Sequence, residues 1–344
     1  MLNIDGSHGE GGGQILRTAV ALSVLTNTPI EITNIRSNRP TPGLKPQHYT
    51  AVSCMETLCN AKTKGLTVGS SHITFIPGKL QEGSYTFDIG TAGSMVLVFQ
   101  TILLGSLHTK KPMTIRLKGG TDVKWAPSWD YFTNVFLPYL KQMGINTEVE
   151  LLQRGYYPKG GGDAQLTLYP YNKILPFHVD EQPSFSNVNG IISLTKNLPD
   201  HIAERMKHAA IKALLKKNLS SSIIVEKTTA LSEGTGITLW CSSNKTILGS
   251  TVLGEKGYPA ESVGEKAATE LLNEIIAKAT LDVYAFDQLL PYMTLARVQG
   301  NHVSLRVRLI SNHAETNMWL MNQFFKEITF QKTIHNCSVR ITLE

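Results

Sequence analysis

Apolar residues in this chain alternate between two periods, and that alternation is the tightest constraint on its fold. Residues 2–4 and 29–35 alternate apolar with polar, as half-buried strands do. Residues 14–25 and 48–59 repeat at helical spacing, and 94–107 is apolar nearly all round, the mark of a buried helix. Segments 73–76, 85–89 and 113–117 read as strands between helices. Glycine-rich turns close the units. The pattern predicts an α/β (α+β) fold, with a large domain of repeated strand-helix units. The triplet GGG occurs at 11–13 and 160–162, but no fixed period joins the copies.

Near residue 180 the texture changes, where Pro176, Pro183, Asp180 and Glu181 mark a boundary. Beyond it come strands at 190–194, 222–226, 236–241 and 246–253, with helices at 201–217 and 262–279. A set of this size can fold as a module of its own. We therefore expect a small α/β domain, 184–279, inserted into a larger one made of 1–183 and 280–344.

Composition narrows the class further. With 42% hydrophobic and 17% charged residues over 344 positions, the chain can bury a sizeable core and is not of disordered type. No apolar run reaches the roughly 18 residues that a membrane helix needs. The opening MLNIDGSHGE has no basic stretch leading into an apolar one, so no secretory signal is expected. None of Cys54, Cys59, Cys241 and Cys337 forms a CxxC pair, which leaves zinc-ribbon and thioredoxin chemistry unsupported and suits a reducing cytoplasm. The net charge of +6 favours an anionic partner, though only weakly. The stretch 36–45 says more, because it holds Arg36, Arg39 and Lys45 and no acid.

Five segments could carry chemistry. In GEGGGQILR (9–17), glycines ahead of a helix allow close backbone approach and aim free N–H groups at an anion. The spacing fits neither a P-loop nor a dinucleotide fingerprint. Glu10 is an exposed carboxylate suited to a divalent metal, and Arg17, one turn on, can reach the same anion. The plainer alternative is a tight turn with Glu10 solvated. In IRSNRPTPGLKPQH (35–48), prolines stiffen a loop whose cations are preorganised for phosphate, with Gln47 and His48 opening the next helix. A merely solvated basic loop would read the same way. GTAGSM (90–95) opens the buried helix that carries Gln100, a polar group needing a partner if buried. Close helix-strand packing is the alternative there. In YAFDQ (284–288), helical spacing puts Tyr284, Asp287 and Gln288 on one face, suited to a purine nucleotide or to a surface helix. In SNHAETN (311–317), Asn312 and Glu315 have capping-box spacing, which predicts His313 at the first helical position. A helix N-terminus holds an imidazole neutral, and a neutral imidazole is a nucleophile. A structural histidine remains the alternative. No HExxH spacing supports a zinc site.

In this order, these segments resemble the RNA 3′-terminal phosphate cyclase family. The carriers are DGSxGEGGGQILR, the R-x-x-R-x-x-P-G-L-x-P-Q-H loop, GGTDVKWAPSWDY (119–131), RGYYPKGGG (154–162), and a late H-x-x-T-N at His313, Thr316 and Asn317. The resemblance covers essentially the whole chain. It implies a large domain similar to that of enolpyruvyl transferases, with a small inserted domain. It also implies an ATP-dependent reaction on an RNA 3′-phosphate end. His313 would take AMP, pass it to the RNA phosphate, and the neighbouring 2′-hydroxyl would then close a 2′,3′-cyclic phosphate. The resemblance gives a Mg²⁺ or Mn²⁺ ion to Glu10, and phosphates to Arg17, Arg36, Arg39 and Gln47. ATP is placed near Gln100, Pro127, Tyr284, Ala285, Phe286, Asp287 and Gln288, with Asp287 close to His313. Asn38 stands where the pattern leads one to expect glycine, and Lys45 where arginine is frequent, which puts the contact with the RNA end in doubt. A sister family that serves ribosome assembly shares the fold without the nucleophilic histidine, and His313 argues against it. Enolpyruvyl transfer would need its own substrate loops and forms no covalent nucleotide.

Overall fold

The structure is a computed structural model that describes residues 1–335 and 337–344. The first unit runs β1 (Leu2–Asp5), α1 (Gly13–Thr26), β2 (Ile30–Thr33), α2 (Pro46–Cys59), β3 (Lys62–Lys64) and β4 (Ile73–Ile76). The second runs β5 (Ser84–Asp88), α3 (Met95–Gly105), β6 (Met113–Gly119), a composite helix, β7 (Thr147–Gln153) and β8 (Gly162–Leu168). That helix is continuous through α4 (Trp129–Tyr131), a π turn (Phe132–Phe136) and α5 (Leu137–Gln142). The third unit begins at β9 (Phe177–Val179) and is at once interrupted. The interruption holds β10 (Asn187–Thr195), α6 (Asp200–Leu215), β11 (Ser220–Thr228), β12 (Thr235–Ser242), β13 (Ile247–Leu253) and α7 (Ala260–Ile276). The third unit then resumes with α8 (Val283–Val298), β14 (Val303–Val307), α9 (Asn312–Phe324), β15 (Phe330–His335) and β16 (Ser338–Leu343).

The three units share one topology. Their sheets are ordered β1-β2-β4-β3, β5-β6-β8-β7 and β9-β14-β16-β15. In each, the first two strands are parallel and joined by a helix, while the last two form an antiparallel pair. The sequence shows no period because the connections differ in length and because the third unit is split after its first strand. The fold is the mixed α/β one that the alternating periods predict.

Burial explains why these residues adopt these elements. The helix α3 is apolar on every side because it lies beneath its neighbours, with Val98 and Phe99 wholly buried. Its N-terminus is capped by Ser94, whose hydroxyl accepts from Leu97 N–H. Both Cys54 and Cys59 are core residues, and all four cysteines are unpaired. A second core, built by residues between Val188 and Leu272, belongs to the β11-β10-β12-β13 sheet with α6 and α7. No helix among the described residues is long and apolar enough to cross a membrane.

Where the two cores meet, Asp282 is the node. Its carboxylate accepts from Tyr131 O–H at 2.7 Å, Gly249 N–H at 2.9 Å, and the α8 N–H groups of Tyr284 and Ala285 at 3.0 and 2.9 Å. It thus caps α8 and fastens it to α4 of the second unit and to β13 of the insertion. Nearby, Glu274 is buried with one oxygen bonded to Arg308 and the other without a partner. Burial, reinforced by Asp282 and opposed by Arg308, pushes its pKa from 4.5 up to about 7. A carboxyl raised in the folded state contributes stability below its unfolded pKa and loses it as pH rises through the folded one. Stability should therefore fall by about 2–3 kcal/mol between pH 5 and pH 8 through this group. Urea midpoints of wild type and Glu274→Gln at the two pH values measure it, and the variant should lack that part of the slope.

Candidate active site

The glycine loop, the basic loop and the start of α9 meet at one point. Gly9 has φ +57°, and a Cβ there would collide with Thr316 of α9. A Cβ on Gly13 would run into the ring of His48, which lies flat against the first turn of α1. These two glycines are thus needed for close approach of three elements. Asn38, the departure from the family pattern, donates to Ser7 O at 2.9 Å and ties the basic loop to the glycine loop.

His313 sits at this junction. The helix begins one residue earlier than expected: its cap is Ser311, which accepts from Ala314 N–H at 3.0 Å, and not Asn312. His313 is therefore the second helical residue. Its Nδ1 lies 2.5 Å from Gln14 Oε1, while Gln14 Nε2 donates to the His313 carbonyl at 3.4 Å. The second contact fixes which way the amide points, so an oxygen faces Nδ1 and the proton resides there. In the neutral ring the lone pair is then on Nε2. Glu10 Oε2 stands 3.2 Å from Nε2 and also accepts from Arg39 at 3.0 Å. Burial lowers the His313 pKa, Glu10 opposes, and Arg17 and Arg39 lower it further. Burial is the main cause of the lowering, and the helix N-terminus expected from the sequence is not among the causes. Gln14 was not singled out in the sequence, although it stands inside the GEGGGQ motif. One helical turn separating it from Arg17 was the available signal.

A cavity of about 540 Å³ opens beside His313. Its walls include Arg17, Gln100, Pro127, Tyr284, Asp287 and Gln288. Gln100 meets the partner its burial demanded, donating to Gln288 Oε1 at 2.6 Å. Arg17 is half-buried, lines the cavity and makes no ion pair among the described residues. Burial pulls its pKa from 12.5 down to about 10, with Asp287 opposing, so it stays cationic at neutral pH. Burial pushes the Asp287 carboxyl well above the usual range, Asp282 and Glu10 add to it, and Arg17 opposes. Asn317 donates to Asp287 O at 2.8 Å, and its buried Oδ1 has no partner.

Other expected residues lie elsewhere. Ala285 and Phe286 point into the core, both fully buried, because they occupy the opposite face of α8 from Tyr284. Arg36 is turned back on its own loop, donating to Thr41 O at 2.7 Å and Gly43 O at 2.8 Å. Gln47 accepts from Ser94 N–H at 3.1 Å and so anchors α2 to the start of α3. Neither Arg36 nor Gln47 lines the cavity. Among the described residues there is no cluster of three or more His, Cys, Asp or Glu. The single hard oxygen donor of Glu10 fits a Mg²⁺ or Mn²⁺ held chiefly by substrate phosphates and water.

The geometry is that of an enzyme site, with an oriented histidine at the edge of a nucleotide-sized cavity and a half-buried arginine in its wall. Comparison with known proteins gives the class a family. A sequence model of RNA 3′-terminal phosphate cyclase matches residues 8–331. The chain is 43% identical over 328 residues to RNA 3′-terminal phosphate cyclase of Pyrococcus furiosus, covering 95% of this chain and 94% of that one. It is 41% identical over 344 residues to the protein of the same name from Methanococcoides burtonii, covering 100% of both. With the Methanosarcina barkeri cyclase it shares 44% identity over 324 residues, 94% of each chain. The chain belongs to the RNA 3′-terminal phosphate cyclase family and is an enzyme of that family.

Proposed function

We propose that this chain converts an RNA 3′-terminal phosphate into a 2′,3′-cyclic phosphate with consumption of ATP, through a covalent histidine-AMP. The observation that carries the reading is His313, whose Nδ1 is fixed by Gln14 so that Nε2 is the free nitrogen of the neutral ring, beside a cavity lined by Arg17. Nε2 attacks the α-phosphorus of ATP, a P–N bond forms and pyrophosphate leaves. A phosphate oxygen of the RNA end then displaces the imidazole, giving RNA-(3′)pp(5′)A. The adjacent 2′-hydroxyl loses its proton and attacks the 3′-phosphorus, and AMP departs. Tyr284 and Pro127 offer apolar faces for the base, and Asn317 Oδ1 awaits a donor.

Arg17 and Arg39 bind phosphates, and the basic loop holds Arg39 in place. A bound divalent metal would neutralise phosphate charge beside Glu10. Glu10 has to leave Nε2 before attack, because its carboxylate occupies the direction of the lone pair. We assign the catalytic unit to residues 1–183 and 280–344 and treat 184–279 as an inserted domain. The cytoplasm is the compartment that the unpaired cysteines suit.

Incubation with α-labelled ATP, denaturation, and then a chase with RNA ending in a 3′-phosphate tests the scheme. Acid-labile label that moves to RNA supports it. A folded, ATP-binding protein that never takes label returns the chain to a non-catalytic, ribosome-assembly type of role. Gln14→Leu should slow labelling about 10–100-fold by releasing the imidazole, the effect of losing one oriented hydrogen bond. Single-turnover labelling rates measure this, and an unchanged rate would show that Gln14 does not orient the ring.

A further inference from the structure

We propose that the groove along α9 is the binding path for the single-stranded RNA leading to the reacting end, with one nucleobase stacked on His8. The inference rests on the reading that the RNA phosphate lies by Glu10 and Arg39. A second, open cavity of about 860 Å³ adjoins Glu10. Asn312, Thr316, Trp319 and Asn322 line it at helical spacing, so it follows one face of α9 away from the His313 turn. Ten residues of helix give it roughly 15 Å, more than one nucleotide needs.

Its chemistry is that of a single-strand platform. The rings of His8 and Trp319 are stacked, with centroids 3.8 Å apart and planes 12° from parallel. Trp319 is half-buried beneath and His8 is exposed, so the pair offers an open aromatic face to the groove. Stacking accepts any base, which suits an enzyme that must act on ends of varied sequence. The exposed amide of Asn322 can meet a base edge, and the exposed Lys326 further along can meet a phosphate. The groove reaches Glu10, which itself touches Nε2 of His313, so an RNA lying in it would bring its 3′-phosphate to the reacting atom.

The test is equilibrium binding of a fluorescent single-stranded RNA of about ten nucleotides with a 3′-phosphate, by anisotropy, to the full chain. His8→Ala should weaken binding about tenfold, the effect of losing one base stack, and His8→Phe should restore it. The exposed position of His8 leaves the fold intact in both variants. Equal affinity of wild type, Ala and Phe variants would overturn the proposal. Weak binding by Ala and Phe alike would also overturn it, since His8 would then act through its nitrogens and not its ring. Wild type that binds no such RNA would refute the underlying placement of the RNA end, a failure distinct from both.

Discussion

His313→Ala takes no covalent label from α-labelled ATP, while still binding the nucleotide and keeping its melting temperature. The expected loss of labelling is at least about ten-thousand-fold, as for removal of a nucleophile that no neighbour can replace. The variant should fold, because the side chain is 46% exposed and its partners are Gln14 and Glu10 at the rim, not core residues. Nucleotide binding should survive, because Arg17 and the faces of Tyr284 and Pro127 remain. Mass spectrometry of the intact chain after incubation with ATP reads the result directly as a mass increase. An adenylylated His313→Ala protein would place the nucleophile elsewhere and end the present assignment.

Arg17→Met should separate stability from activity. Arg17 is half-buried in the cavity wall and no carboxylate lies within ion-pair distance among the described residues, so the folded chain holds a partly desolvated cation with no ion-pair partner there. An apolar side chain of similar length should raise stability by about 1–3 kcal/mol, since such a cation is penalised by lost hydration. The same change should lower the rate of labelling about 10²–10³-fold, the usual effect of removing one fixed charge from a phosphoryl-transfer site. Urea unfolding and single-turnover labelling, done on the same preparation, check both halves. A destabilised variant would show that Arg17 is part of the scaffold. A stable variant with full activity would remove it from the site.

How far the sequence carried can be judged from particular residues. Strands and helices with a strong period, such as 73–76 and 48–59, lie where the pattern puts them to within a residue or two. The composite helix around the π turn was not read, and Pro138 inside it is the kind of residue that normally argues for a break. Repeated strand-helix units were read, but not that they number three with one strand order, because strand order leaves no trace in residue identity. Within the site, the motifs led to Gln100, Tyr284 and Asp287, which do share a cavity. Arg36 looked identical to Arg39 in the sequence, yet its guanidinium is spent on loop carbonyls. Only the loop's folded path, with Arg36 at φ +55°, decides between them. Gln14 was passed over because a glutamine's part depends on what lies across from it, and that is a residue 299 positions away.

The walls of the cavity beside His313 come from α1 of the first unit, α3 of the second, and α8 and α9 of the third, with β13 and α7 of the insertion closing one side. The first three are the equivalent helices of the three units, each following a first strand. No one or two units could enclose the space by themselves. A chain still emerging from the ribosome therefore lacks this enclosed space until α9 has emerged and packed against the helices made before it.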